Sequence, residues 1–252
     1  MRGLYRLIAL GLVAASIGAA TPPAIAADIN VAVAANFTEP AKEIAALFER
    51  KTGNKVVFSF GASGLLTKQI QEGGPFAVFA AANRSFVDDA VKTGSCDAAS
   101  VKTYARGHLV IWMRAGATDA PRNITDLADA RFRRIAIANP DHAPYGRAAK
   151  QALERAKLWD TVKPRVVFGE NIQQTLQYAQ SGNAEVALVS ASLVLGIGGV
   201  QVEVDPQSYD PLEQAIALCG TGMKDPSAKA FQDFVLGEDG RATLRRWGFQ
   251  LP

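Results

Sequence analysis

The chain is poor in the residues that catalysis needs. Its 252 residues contain two histidines, His108 and His142, and two cysteines, Cys96 and Cys219. His108 lies in an apolar run and His142 in a loop, so neither a Ser-His-Asp nor a Cys-His constellation can be assembled. Gly61-Ala62-Ser63-Gly64 approaches a nucleophile turn, but Gly-x-Ser-x-Gly needs glycine where Leu65 stands. Asp141, His142 and Glu170 lack the regular ligand spacing of a metal centre. Leu195-Gly196-Ile197-Gly198-Gly199 lacks the lysine and the full pattern of a phosphate loop, and reads as a plain turn. No enzyme activity, cation ligand set or cofactor is expected.

Excess charge is missing too. The 27 Lys and Arg stand against 24 Asp and Glu, without the basic face that nucleic acid requires. The chain shows no tandem repeat or low-complexity segment. Past the N-terminus, no apolar run approaches the roughly 20 residues of a membrane span.

What is present begins with a secretory signal over 1–26. Arg2 and Arg6 precede an apolar run over 7–20, and Ala24-Ile25-Ala26 is a small-x-small cleavage site, with cleavage after Ala26 or Ala27. The run carries Gly11, Ser16 and Gly18 and stops at Thr21-Pro22-Pro23, too short to span a bilayer. Removing it leaves 25 bases against 24 acids. No cysteine lies near the cleavage site to carry a lipid, so a periplasmic protein without a membrane anchor is expected. In an oxidising compartment Cys96 and Cys219 are either one disulfide or two idle thiols, and their separation in sequence does not choose.

The mature length suits two lobes of about 100 residues each. Short apolar runs alternate with helical patterns, the mark of α/β lobes with mostly parallel sheets. Strands are expected over 29–34, 55–60 and 76–81, with helices over 40–50, 65–71 and 86–92. A second series follows the strand 109–113, with strands 134–138, 165–168 and 185–189 and helices 146–158 and 173–180. Strand 215–219 and helices 227–236 and 240–247 close the chain. The expected division is a discontinuous first lobe, 27–108 and 216–252, and a second lobe, 109–215. Two crossings between them form a hinge, the layout of receptors that close on a small ligand.

Four turns stand where strands end and helices begin: Ala34-Ala35-Asn36-Phe37-Thr38, Gly61-Ala62-Ser63-Gly64, the stretch 139–146, and Gly169-Glu170-Asn171-Ile172-Gln173. Helix starts leave N–H groups unpaired and concentrate partial positive charge, so they hold anions without a cationic side chain. Asn36 and Ser63 are candidate side-chain donors, Tyr145 offers its hydroxyl or N–H, and Ile172 its N–H. The bland readings are helix caps for Asn36 and Ser63, a surface turn aromatic for Tyr145, and core for Ile172.

These stretches carry a resemblance. Ala34-Ala35-Asn36-Phe37, Phe60-Gly61-Ala62-Ser63-Gly64 with Lys68-Gln69-Ile70, and Pro75-Phe76-Ala77-Val78-Phe79 match one family in order. So do Ala138-Asn139-Pro140, Ala143-Pro144-Tyr145-Gly146, Gly169-Glu170-Asn171-Ile172 and Trp247-Gly248-Phe249. Over its mature length the chain resembles the periplasmic molybdate-binding proteins of ABC transporters. The resemblance implies a type II periplasmic-receptor fold and capture of molybdate or tungstate by Asn36, Ser63, Tyr145 and Ile172, with Ala35 adding its N–H. It also implies a monomer that delivers its ligand to a permease and its ATPase. Some members have serine at Asn36 and tyrosine at Ser190, and aspartates are often found where this chain has Val78 and Asn83. Alternatives are a same-fold receptor for sulfate, phosphate or an organic anion, or a sensing domain for a signalling partner. A cleft carboxylate, Asp141 or Glu170, would favour hydrogen phosphate.

Overall fold

A computed structural model describes residues 28–252, so the expected signal, 1–26, lies outside the described residues. The first lobe is built from β1 (Ile29–Ala34), α1 (Thr38–Thr52), β2 (Val56–Gly61), α2 (Ser63–Gln71), β3 (Val78–Ala81), α3 (Arg84–Lys92) and β4 (Lys102–Gly107). The second comprises β5 (Leu109–Met113), β6 (Ile135–Ala138), α4 (Pro144–Arg155), α5 (Trp159–Val162), β7 (Val166–Gly169), α6 (Ile172–Gln180), β8 (Val186–Ser190), α7 (Ala191–Val194) and β9 (Val200–Glu203). The chain then returns to the first lobe as β10 (Leu212–Leu218), α8 (Pro226–Leu236) and α9 (Glu238–Arg246).

The local reasons are visible in sequence. β3, β5, β6 and β8 are buried at every position, as near-continuous apolar strands covered on both faces must be. α1 buries Ala41, Ile44, Ala45 and Phe48 at helical spacing, and stops at Gly53, whose φ of 75° lets its N–H reach the Glu49 carbonyl.

The two sheets repeat one plan. The first runs β2-β1-β3-β10-β4 and the second β7-β6-β8-β5-β9. In each, four strands share a direction and one opposes them, β10 in the first and β5 in the second. β4 and β9 are absent from the expected strands. Both lie at sheet edges, and β9 is mostly exposed while β4 carries Lys102 and Arg106, so neither shows the apolar pattern of a covered strand.

His108 alone separates β4 from β5, and 204–211 link β9 to β10. The Leu109 N–H donates to the Tyr209 hydroxyl at 3.1 Å, tying the two crossings together. Because β10 begins to pair at Leu212, the return falls four residues before the expected 216. Cys96 and Cys219 form a disulfide within the first lobe, which resolves the open alternative and encloses the whole second sheet in its loop.

The C-terminus buttresses the first turn. Gln250 and Arg106 exchange backbone hydrogen bonds, Phe249 meets Phe37 edge-on at 5.9 Å, and Phe37 packs on Tyr104 at 4.9 Å. The lobes are shut. Ala34, Ala35, Ala62 and Ala82 of the first share one buried cluster with β5, β6 and β8 of the second.

Candidate functional site

The four turns sit at the carboxyl ends of β1, β2, β6 and β7, where open α/β sheets present ligand sites. They converge on one small interlobe cavity, of about 10 Å³ in the shut form. Its wall is Ala34, Ala35, Asn36, Gly61, Ala62, Ser63 and Ala82 from the first lobe, and Ala143, Pro144, Tyr145 and Ile172 from the second. The structure thus brings together Asn36, Ser63, Tyr145, Ile172 and Ala35. No carboxylate, ammonium, guanidinium or imidazole belongs to the wall.

Local sequence explains why helix starts at this wall keep free N–H groups. α2 begins after Ala62 and α4 after Ala143, and alanine has no side-chain acceptor for the first-turn N–H groups. Elsewhere Asn83, Asp97, Asn123 and Asp225 cap the helices that follow them. At α6, Asn171 Oδ1 accepts from Gln173 and Gln174 at 3.0 and 3.1 Å, so the Ile172 N–H stands outside that cap.

Neither Asn36 nor Ser63 is a helix cap. Asn36 is the middle residue of the 3-10 turn Ala35–Phe37, while Ser63 opens α2 and its Oγ accepts from the Ala82 N–H at 3.0 Å. A hydroxyl that accepts in this way keeps its proton for donation. Tyr145 is no surface aromatic either, being 1% exposed. Its hydroxyl takes hydrogen bonds from Ser190 Oγ at 3.0 Å and Gln214 Nε2 at 3.2 Å. Burial pushes this phenol far above its ordinary range, opposed only in part by the Ser190 bond, so it stays neutral. The hydroxyl accepts both bonds, so Tyr145 keeps its own hydroxyl proton as well as its first-turn N–H as candidate donors.

The lobes also touch directly. The Gly64 N–H donates to the His142 carbonyl at 2.8 Å, and a Cβ on Gly64 would lie 2.9 Å from that backbone. Ser192 Oγ donates to the Asn36 carbonyl at 3.2 Å and lies 2.7 Å from Ser190 Oγ. Asp141 and Glu170 are exposed and outside the cavity wall, and His142 Nε2 pairs with the Glu170 carbonyl. Among the described residues no cluster of metal-ligating side chains occurs.

Sequence reasoning missed Gln214, Tyr104 and Ser192. Gln214 is fully buried and bonds to Asn36, Tyr104 and Tyr145. It stands one residue before the strand expected from 215. A polar residue at the mouth of an apolar strand was the available signal.

Residues 29–250 match the family described as bacterial extracellular solute-binding protein. The chain belongs to that family. It is 40% identical over 228 residues to the molybdate-binding protein ModA of Rhodobacter capsulatus, covering 90% of each chain. To ModA of Azotobacter vinelandii it is 38% identical over 245 residues, 95% of this chain and 96% of that one. Among solved structures it is similar to the Azotobacter vinelandii periplasmic molybdate-binding protein, with a TM-score of 0.83, 29% identity, and coverage of 89% and 99%. The family's members are receptors for solutes. This chain is accordingly a two-lobed binding protein and not an enzyme.

Proposed function

We propose that the chain is a periplasmic receptor that captures molybdate, or the closely similar tungstate, between its lobes and presents it to an ABC permease and its ATPase. The observation that carries this reading is an interlobe cavity lined by uncharged residues from both lobes, including the first residues of helices α2, α4 and α6 or their neighbours, and by no carboxylate. A fully ionised tetrahedral dianion needs donors on every side and is repelled by carboxylates. Hydrogen phosphate needs an acceptor for its proton, and Asp141 and Glu170 stand outside the wall. The relatives named for molybdate support the choice of ligand.

In this reading the Ser63 hydroxyl and the Asn36 amide bind from the first lobe with the Ala35 N–H, and the N–H groups of Tyr145 and Ile172 bind from the second. Their dipoles are fixed by helix starts, so the anion is held without a neutralising charge. Bonds to both lobes favour the shut form, which the permease reads as the loaded state. The receptor acts as a soluble monomer released from its signal.

Isothermal titration of residues 27–252 tests the proposal. Tight one-to-one binding of molybdate and tungstate is expected, with sulfate and phosphate silent. Binding of phosphate with silence toward molybdate would overturn it.

A further inference from the structure

Among the described residues a single buried side-chain polar atom lacks a hydrogen-bond partner, Asn36 Oδ1. Asn36 is 1% exposed and lines the cavity. A buried amide oxygen without a donor is costly, and an oxygen turned toward an anion would repel it. The arrangement seen therefore suits neither a closed protein by itself nor a dianion in the cavity.

The other end of the same amide is held. Asn36 Nδ2 donates to Gln214 Oε1 at 3.1 Å, and the Tyr104 hydroxyl donates to that same oxygen at 2.8 Å. Gln214 Nε2 donates to the Tyr145 hydroxyl at 3.2 Å. Apart from Asn36, every side chain that Gln214 bonds to here is a hydroxyl, which donates or accepts as required.

Both amides can consequently turn over together with every bond preserved in kind. Asn36 Oδ1 then accepts from Gln214 Nε2, whose second hydrogen goes to the Tyr104 hydroxyl. Tyr104 turns its own proton to the Ala81 carbonyl, 3.5 Å away. Gln214 Oε1 accepts from the Tyr145 hydroxyl, which still accepts from Ser190. No acceptor is orphaned, and Asn36 Nδ2 stands where the unpaired oxygen was. A Cβ on Gly107 would collide with the Tyr145 hydroxyl and crowd Gln214 Nε2, so the amide is tightly confined where it lies.

We propose that Gln214 is a positioning residue for anion capture, setting the amide order of Asn36 so that Asn36 Nδ2, and not Oδ1, meets the ligand. This rests on the anion reading of the cavity. Gln214 lies on β10, the strand that returns the chain from the second lobe, and Tyr145 belongs to that lobe. The amide order therefore links the ligand to the lobe contact and to the crossing strand.

Gln214→Glu tests it. Ionised, the glutamate has no donor for Asn36 and adds a negative charge beside the anion. Protonated, it regains one donor. The titratable groups that face position 214 are Tyr104 from β4 and Tyr145 from α4, both held neutral by burial. At about pH 8 the variant should bind molybdate roughly tenfold or more weakly than the wild type. Affinity should recover as the pH falls toward about 6, because burial raises a carboxyl's pKa, while wild-type affinity changes little. Gln214→Leu should weaken binding without any recovery, with thermal melting of both variants followed in the absence of anion. On the wild type, the side-chain amide NMR signals of Asn36 and Gln214 should shift together when molybdate is added, which decides the matter even if a variant fails to fold. Binding by Gln214→Glu within about twofold of wild type at about pH 8 would overturn the inference. So would movement of the Asn36 signals alone. Failure of the wild type itself to bind molybdate would instead remove the anion reading and this inference with it.

Discussion

The two lobes repeat one sheet plan but are held together by different means. All close aromatic pairs among the described residues lie in the first lobe, joining Phe37, Tyr104 and Phe249 in one group and Phe48, Phe58, Phe60, Phe231 and Phe234 in another. That lobe also carries the disulfide. The second is packed largely with alanine and aliphatic residues, including Ala136, Ala138, Ala148, Ala149 and Ala152. Their contributions to the cavity differ in the same way. In the proposed site the first lobe uses the side chains of Asn36 and Ser63, which need a rigid bed to hold a rotamer, beside the Ala35 N–H. The second would use N–H groups at Tyr145 and Ile172, which the helix itself orients.

The strongest way to break the contrast is to remove the staple. Replacing Cys96 and Cys219 with alanine should lower unfolding stability by about 2–5 kcal/mol, measured by urea titration, and leave anion affinity nearly unchanged because neither residue lines the cavity. Equal loss of affinity would show that the disulfide holds the site as well as the lobe. Next come the side-chain donors. Asn36→Ala and Ser63→Ala should each cost about 1.5–3 kcal/mol of molybdate binding, as loss of a bond to a charged group does, read by calorimetry.

Gly64→Ala probes the seam between the lobes. A methyl group 2.9 Å from His142 must push them apart, and an overpacking cost of about 1–3 kcal/mol should appear as weaker binding with the stability of the separate lobes retained. Small-angle scattering should then show a more open form.

Each lobe also supplies one buried phenol to the central network, Tyr104 and Tyr145, and burial raises both above the ordinary tyrosine range. The folded chain keeps these protons where the unfolded chain loses them. Their contribution to stability is therefore complete below about pH 10 and declines above it, by up to about 1.4 kcal/mol per pH unit for each tyrosine. Urea titrations across that range should show the fall, and Tyr104→Phe or Tyr145→Phe should each make it shallower. The smallest effect expected is that of Ile172→Ala on binding, under about 0.5 kcal/mol, since its N–H remains. A large loss of affinity would mean that the second lobe also works through its side chains.

The strands and helices were legible where residues were covered on a regular face, as in β1, β8 and α1. They were illegible at the sheet edges, because β9 is mostly exposed and β4 carries Lys102 and Arg106, so neither shows the apolar pattern of a covered strand. The cavity wall was legible because small residues and uncapped helix starts are local properties of the chain. Gln214 was not, since its partners lie 178, 110 and 69 residues away.

Sequence by itself determined the two α/β lobes and the four strand-to-helix turns whose residues line the cavity, because periodicity and helix starts are written in neighbouring residues. Tertiary structure alone decided that Cys96 meets Cys219, that the Tyr145 hydroxyl meets Gln214 and Ser190, and that no carboxylate enters the wall. Each of these depends on which distant segments the sheet order and the two crossings bring within bonding distance, and no local pattern records that.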